Sequence, residues 1–159
     1  MHRRLGFLVA TLAALALGAA ACGGGGQLSH DEYQQHINQI TATFKAQQQQ
    51  TSAAFGSINS PSDLDKIVAP MNAAADAIDK VANDLDGITP PDDAKDANQK
   101  LVTGFRGIAD TFRELAKAAQ QHDVAKLQQV GQQLQSSTAA TDLQQAKTEL
   151  TKAGYTVNT

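Results

Sequence analysis

Residues 101–119 read LVTGFRGIADTFRELAKAA, and this stretch decides the fold class. Its apolar residues recur at spacings of four, three, four, three and four: Leu101, Phe105, Ile108, Phe112, Leu115 and Ala119. That spacing places all six on one stripe of an α-helix. Because such a stripe is buried only against other apolar surface, the stretch predicts packing of helix on helix.

A first helix is predicted over about residues 30–58. Ser29 and Glu32 have the spacing of a capping box, in which Ser29 caps the helix and the Glu32 side chain reaches back to the Ser29 backbone. Apolar residues follow at helical spacing: Tyr33, Ile37, Ile40, Phe44, Phe55 and Ile58. This stripe is the second helical face that requires a partner.

Polar residues, proline and glycine mark the next boundaries. Ser60 is expected to cap a second helix, which ends at Gly87 in the left-handed conformation. The third helix, which carries the deciding stretch, opens after Pro91 and ends in a tight turn at His122. The connections are therefore short, and consecutive helices are predicted to be antiparallel neighbours.

A fourth helix is predicted over about residues 124–153. Asp123 is expected to cap its start, and Gly154 to end it in the left-handed conformation with Tyr155 packing back. Four helices of similar length joined by short turns predict an all-α, antiparallel up-down-up-down four-helix bundle. A three-helix fold with a broken first helix is the alternative.

Residues 1–21 have the layout of an export signal. Arg3 and Arg4 precede an apolar run of about 17 residues that ends in small residues. Cys22 follows directly and is the one cysteine of the chain. The alternative is an uncleaved transmembrane anchor, because the apolar run lies at the lower edge of the length that spans a bilayer.

The junction Ala19-Ala20-Ala21-Cys22 resembles the lipobox of bacterial lipoproteins, with Ala19 where leucine is usual. The resemblance implies cleavage between Ala21 and Cys22 and attachment of palmitate-type acyl chains to Cys22. It also implies a protein anchored in the cell membrane by lipid and facing the extracytoplasmic side. Two or three acyl chains would hold the protein there, whereas one chain anchors only marginally.

The expected organisation has four parts. After the signal peptide, residues 22–27 form the lipidated cysteine and a glycine tether, 28–155 the bundle and 156–159 a short tail. The alanine- and glutamine-rich helices of the bundle are loosely similar to those of uncharacterised helical-bundle lipoproteins from high-GC Gram-positive bacteria. That similarity implies no functional residues.

Charge and motifs exclude several classes of function. The formal net charge is −3, and loss of Arg3 and Arg4 with the signal peptide takes it to −5. An acidic protein lacks the basic surface that supplies most nucleic-acid affinity. The chain also has no Gly-x-Ser-x-Gly elbow, and its run of four glycines precedes no strand. We therefore expect no enzyme, no cofactor and no nucleic-acid partner.

Four residues are candidates for a metal site near the turn between the second and third helices: Glu32, His36, Asp84 and Asp86. Glu32 and His36 are four residues apart and share a helix face, and carboxylate and imidazole groups are common metal ligands. The alternative is a solvated capping region, because Glu32 already has a place in the capping box.

A second candidate is a polar level halfway along the bundle. Antiparallel register brings weak points of all four apolar stripes to one height: Gln47, Thr51, Met71, Gly104, Gly107 and Ser137. Such a level could hold water or a small ligand. The favoured alternative is that small residues permit close helix approach while the glutamines face solvent.

These patterns indicate a non-enzymatic envelope lipoprotein that binds a protein, a cell-wall component or a small molecule. A metal-binding envelope protein that uses His36 and the aspartate cluster is the alternative. An enzyme of unrecognised type is a third reading, which a polar pocket at the mid-bundle level would favour.

Overall fold

A computed structural model describes residues 26–56 and 60–157. The predicted signal peptide, the cleavage site between Ala21 and Cys22 and the lipidation of Cys22 lie outside these ranges. Within them the secondary structure is helical, without a strand. Nowhere in the described ranges is a helix both long and apolar enough to cross a membrane.

The described residues form five α-helices: α1 (His30–Gly56), α2 (Asp65–Asp86), α3 (Lys95–Gln120), α4 (Val124–Gln135) and α5 (Thr138–Lys152). Short 3-10 turns, Pro61–Asp63 and Asp92–Ala94, lead into α2 and α3. Both α4 and α5 pack on α3 and together take the place of the predicted fourth helix. The predicted all-α four-helix bundle is confirmed.

The predicted continuous fourth helix over 124–153 is wrong in one respect, because it breaks at Ser136 and Ser137. Ser136 ends α4, and the Ser137 backbone turns extended at ψ 154°. The Ser137 hydroxyl then accepts a hydrogen bond from the Ala140 N–H at 3.1 Å and so caps α5. Serine favours such a start because its side chain satisfies an N–H that has no partner within the helix.

Several predicted helix ends are confirmed. The Ser29 N–H donates to Glu32 Oε2 at 2.8 Å and the Glu32 N–H donates to Ser29 Oγ at 3.3 Å, which completes the capping box. Asp123 Oδ1 accepts from the Lys126 N–H at 2.9 Å at the start of α4. Gly154 is left-handed (φ 91°), and the Tyr155 N–H returns to Leu150 O at 2.9 Å.

The prediction that Gly87 is left-handed is wrong. Its φ is −81°, and its N–H donates to Asn83 O at 3.0 Å, so the helical hydrogen bonding simply continues. A left-handed residue that was not predicted is His122, between α3 and α4, with φ 52°. The His122 N–H donates to Ala119 O at 3.0 Å there, as in a glycine-ended helix.

The core surrounds α3, which packs on α2, α4 and α5, while α1 packs on α2. The predicted α3 stripe is buried at Leu101, Phe105, Ile108, Leu115 and Ala119. Phe112 is half-buried and touches two clusters of buried residues, a large one along α1, α2, α3 and α5 and a smaller one around Met71. One helix thus contributes to the whole hydrophobic core.

Both ends of the described chain lie at one pole of the bundle, which we call the terminal pole and define by Leu28, Thr89 and Tyr155. The Leu28 N–H donates to Thr89 O at 2.8 Å. The rings of His30 and Tyr155 stack with centroids 4.1 Å apart. The start of α1, the turn before α3 and the end of α5 therefore meet, as the predicted register requires.

Candidate functional site: an apolar groove between α1, α3 and α5

The four metal candidates do not converge on one point. Glu32 Oε2 accepts hydrogen bonds from the backbone and hydroxyl of Ser29, and these hold the pKa of Glu32 below its usual value. Asp84 pairs with Lys80 at 2.8 Å. The carboxylates at the terminal pole therefore already have partners of their own.

Asp86 and His36 complete the set. Asp86 pairs with Arg106 at 2.9 Å, whereas His36 and Asp84 line the same small cavity of about 110 Å³. In the described part of the chain, no group of three or more histidine, cysteine, aspartate or glutamate side chains is placed to hold a metal ion. The predicted grouping of four ligands is thus reduced to one pair, His36 and Asp84.

The mid-bundle candidates are also dispersed. Met71 is fully buried in the smaller core cluster, and Ser137 caps α5. Gln47 and Thr51 are half-buried in the second half of α1, where Thr51 Oγ1 is buried with no described hydrogen-bond partner. None of the six predicted residues lines either of the two described cavities, so the polar level stays a prediction.

Gly104 and Gly107 follow the favoured alternative, the close approach of small residues. A Cβ atom on Gly104 would lie 2.7 Å from Leu143 side-chain atoms. A Cβ atom on Gly107 would lie 2.7 Å from the Cβ of Ala139. Both glycines therefore permit α5 to pack directly on α3.

The larger of the two described cavities is a groove with a volume of about 610 Å³, which we call the α1–α5 groove. Leu101, Phe105 and Ile108 of α3 lie along it. They belong to the same stripe that predicted the bundle. One face of α3 thus serves both the core and this groove.

Helices α1 and α5 supply the two walls. The α1 wall consists of Ile37, Ile40, Thr41, Phe44 and Lys45, and the α5 wall of Ala140, Leu143, Gln144, Lys147 and Leu150. Each set follows helical spacing, so each wall is one continuous helix face. Leu134 at the end of α4 and Val157 in the C-terminal tail complete the lining.

The groove exists because α1 packs on α2 rather than on α5. Phe44 reaches towards α3, where its ring lies 6.0 Å from that of Phe105, centroid to centroid. Phe44 nevertheless remains 38% exposed and is one of two large apolar side chains that are exposed in the described part of the chain. Exposed large apolar side chains within a concave surface are typical of binding sites.

The charged residues that line the groove are Lys45 and Lys147, and no acidic side chain is among its described lining residues. Glu149, two residues after Lys147 in α5, forms an ion pair with Lys100. The Thr41 hydroxyl donates to Ile37 O at 2.9 Å and is thereby satisfied. The groove therefore combines an apolar interior with two cationic side chains.

Apolar side chains make up most of the groove lining. Its polar residues are Thr41, Lys45, Gln144 and Lys147. A volume of about 610 Å³ lies within the range of small-molecule sites. An elongated apolar molecule is the ligand class that such a lining accommodates.

Sequence reasoning missed the groove, although it identified many of its residues as core. Ile37, Ile40 and Phe44 were expected to close the bundle as part of the α1 stripe. The one available signal is the gap between Leu134 and Leu143 in the fourth apolar stripe. Such a gap predicts that the fourth helix offers little apolar surface there. It does not indicate which neighbouring helix lies farther from it.

Comparison of the chain with protein-family models, with curated proteins and with solved structures finds no match. A four-helix bundle hosts many unrelated functions, so the fold by itself does not select one. The α1–α5 groove is therefore the feature from which a function can be argued.

Proposed function

We propose that this protein is a lipid-anchored, non-enzymatic protein of the cell envelope that binds an elongated apolar small molecule in the α1–α5 groove. The observation that carries the proposal is the groove itself, about 610 Å³ in volume and lined mainly by aliphatic and aromatic side chains. Burial of apolar surface contributes about 25 cal/mol per Å², so such a lining favours an apolar ligand.

The proposed anchor has independent support from the sequence. Ala19 to Cys22 resemble a lipobox, and Gly23 to Gly26 provide a short tether. Four tether residues have an r.m.s. span of roughly 11 Å, which would keep the terminal pole close to the membrane surface. A groove beside a membrane is well positioned to exchange an apolar molecule with the lipid.

The anchor is tested with Cys22→Ala in the full-length chain. We expect this variant to lose metabolically incorporated palmitate label and to leave the membrane fraction. The matched control is Ser29→Ala, which lies just beyond the tether and should keep the label. Normal processing and membrane fractionation of Cys22→Ala would contradict the proposed lipidation.

The groove is tested with a photoactivatable long-chain alcohol added to membranes that contain the mature protein. We expect cross-links on α1, α3 and α5 peptides that line the groove. Ala140→Phe, which adds a ring to the α5 wall, should remove most of these cross-links. Ala73→Phe adds the same ring on an exposed position of α2 and should leave them unchanged.

Cross-links spread evenly over all exposed helices would contradict the groove proposal. Equal labelling of the two phenylalanine variants would do the same. Thermal unfolding of both variants, compared with that of the parent protein, shows whether a lost signal reflects a filled groove or an unfolded chain.

A further inference from the structure

We infer that Thr156 and Val157, which we call the strap, form a gate through which the apolar ligand enters and leaves the α1–α5 groove. This inference rests on the proposed function and adds the route by which the ligand exchanges. It begins from the place where the strap crosses from the end of α5 to α1.

The strap leaves α5 from a fixed point. Gly154 reverses the chain in the left-handed conformation, and the next residue, Tyr155, is buried. The Tyr155 N–H donates to Leu150 O at 2.9 Å, and its hydroxyl donates to Asp93 Oδ1 at 3.1 Å. Because Tyr155 is held by both its backbone and its side chain, it is the point about which the strap can turn.

On the α1 side, the strap is held through the side-chain amide of Gln34. The Thr156 N–H donates to Gln34 Oε1 at 2.7 Å, and Gln34 Nε2 donates to Thr156 O at 2.9 Å. Both hydrogen bonds are exposed, so water can replace each of them and their net stabilisation is small. Segments held by exposed hydrogen bonds and few buried contacts are those that open locally.

The strap lies across one end of the groove. Val157 is half-buried and lines the groove together with Ile37 and Leu150. Ile37 is one turn after Gln34 in α1, and Leu150 O accepts the Tyr155 N–H, so both belong to the end of the groove at the terminal pole. The strap connects the two walls there, and a ligand that leaves in this direction has to displace it.

The end of the groove that the strap covers is also the end nearest the tether. The tether precedes Leu28 in the chain, and the Leu28 N–H donates to Thr89 O at the terminal pole. With the proposed anchor, this end lies closest to the membrane. A closed strap would separate the groove from the lipid, and a released strap would connect them, as a lid does in other binding sites.

The experiment measures how fast a photoactivatable hexadecanol leaves the groove of the mature protein in membranes. The protein is equilibrated with the probe in the dark, and an excess of ordinary hexadecanol is added. A light flash after different delays then gives the cross-links that remain on the groove peptides.

Gln34→Ala removes both hydrogen bonds to the strap and leaves the groove lining unchanged. We expect the probe to leave about three to ten times faster, because the lost hydrogen bonds stabilise the closed strap by about that factor. The probe concentration for half-maximal labelling should not change, since a released gate speeds entry and exit equally.

Asn38→Ala is the matched control. Gln34 Nε2 also donates to Asn38 Oδ1 at 3.0 Å, and this bond does not involve the strap, so its loss should leave the exit rate unchanged. Thr156→Pro tests the gate from the other side. It removes the N–H that donates to Gln34 without altering α1, and it should also speed exit.

The outcomes separate this inference from the proposed function. If the probe labels the groove but Gln34→Ala and Thr156→Pro leave its exit rate unchanged, the gate is overturned and the apolar groove stands. Equal acceleration by Asn38→Ala overturns the gate as well, since a general loosening of the α1 surface would then be the cause.

The comparison of rate with affinity gives a further check. A faster exit that is matched by an equal rise in the half-maximal concentration overturns the gate, because the strap would then only stabilise the bound ligand. If the probe does not label the groove of the parent protein, the proposed function falls and the gate falls with it.

Discussion

At the residue scale, the terminal pole is organised by a small polar network inside apolar surroundings. Asn98 is the buried polar residue of the described core. The Tyr33 hydroxyl donates to Asn98 Oδ1 at 3.0 Å, and Asn98 Nδ2 donates to Leu85 O at 3.1 Å. Since both ends of the amide are satisfied, the network fixes α1 against α2 and α3 with no orphaned group.

Tyr155 extends this network to the C-terminal end. Its ring meets that of Tyr33 edge-on, with centroids 5.3 Å apart, and its hydroxyl donates to Asp93 Oδ1 at 3.1 Å. Burial, followed by the hydrogen bond to Asp93, raises the pKa of Tyr155 to about 12. Burial also raises the pKa of Tyr33.

These pKa shifts predict a loss of stability in alkaline solution. In the unfolded chain both phenols ionise near pH 10, whereas the folded chain keeps their protons to higher pH. The stabilisation is therefore complete below about pH 10 and declines as the pH rises towards about 12. The measurement is the urea midpoint of the wild type at about pH 8 and about pH 11.

The control is the double variant Tyr33→Phe with Tyr155→Phe, which has no phenol to ionise at this pole. Lysines also lose their charge in this pH range and weaken surface ion pairs in both proteins. The double variant should therefore retain a smaller decline than the wild type. An identical decline would rule out the tyrosines as its source.

At this scale, features set by residues close together in the sequence were predictable, whereas contacts between residues far apart in the sequence were not. The capping box of Ser29 and Glu32 and the cap at Gly154 depend on residues within one turn of each other. Asn98 meets Tyr33 only because the chain returns after 65 residues. A polar residue with such a partner has no signature in its own neighbourhood.

At the element scale, the contact of α3 with α5 is set by small residues. Gly104 lies against Leu143, and Gly107 lies against Ala139. A Cβ atom added to either glycine would lie 2.7 Å from a side-chain atom of its neighbour, so there is no room for a further methyl group. The approach is close on one side of α3, and the α1–α5 groove opens beside it. The packing of α5 therefore determines the position of one groove wall.

Gly107→Ala is predicted to destabilise the protein by about 1–3 kcal/mol, because its Cβ would overlap that of Ala139. Gly131→Ala is the matched control within α4. A Cβ there meets no atom within 4 Å, so the better helix propensity of alanine should raise stability by about 0.5–1 kcal/mol. Urea unfolding of both variants measures the difference.

Opposite signs for the two substitutions are the expected result. A stabilising Gly107→Ala would show that α5 shifts away from α3 at little cost, contrary to a tightly packed interface. A stabilising Gly131→Ala together with a destabilising Gly107→Ala separates packing from helix propensity, since the chemical change is the same in both.

The break between α4 and α5 also belongs to this scale. The sequence predicted one helix because the apolar spacing continues on both sides of Ser136 and Ser137. The Ser137 hydroxyl accepts from the Ala140 N–H and so competes with the backbone hydrogen bonds of a continuous helix. The apolar stripe also has a gap here, between Leu134 and Leu143.

At the scale of the whole molecule, α3 is the central helix and the other helices are arranged around it. The bundle class was predictable, because every helix carries its own stripe and the connections are short. The groove was not predictable, because it depends on the distance between α1 and α5. An apolar stripe shows which face of a helix is buried, but it does not give the distance between two helices that are not consecutive in the chain.

The ties at the terminal pole have a mechanical consequence. Gln27 Nε2 donates to Pro90 O at 3.1 Å, next to the bond between Leu28 and Thr89. Thr156 and Gln34 exchange hydrogen bonds at 2.7 and 2.9 Å. A pulling force applied at Gln27 is therefore shared by α1, the turn before α3 and the C-terminal segment at Thr156, so this pole resists tension as one unit and α1 does not separate alone.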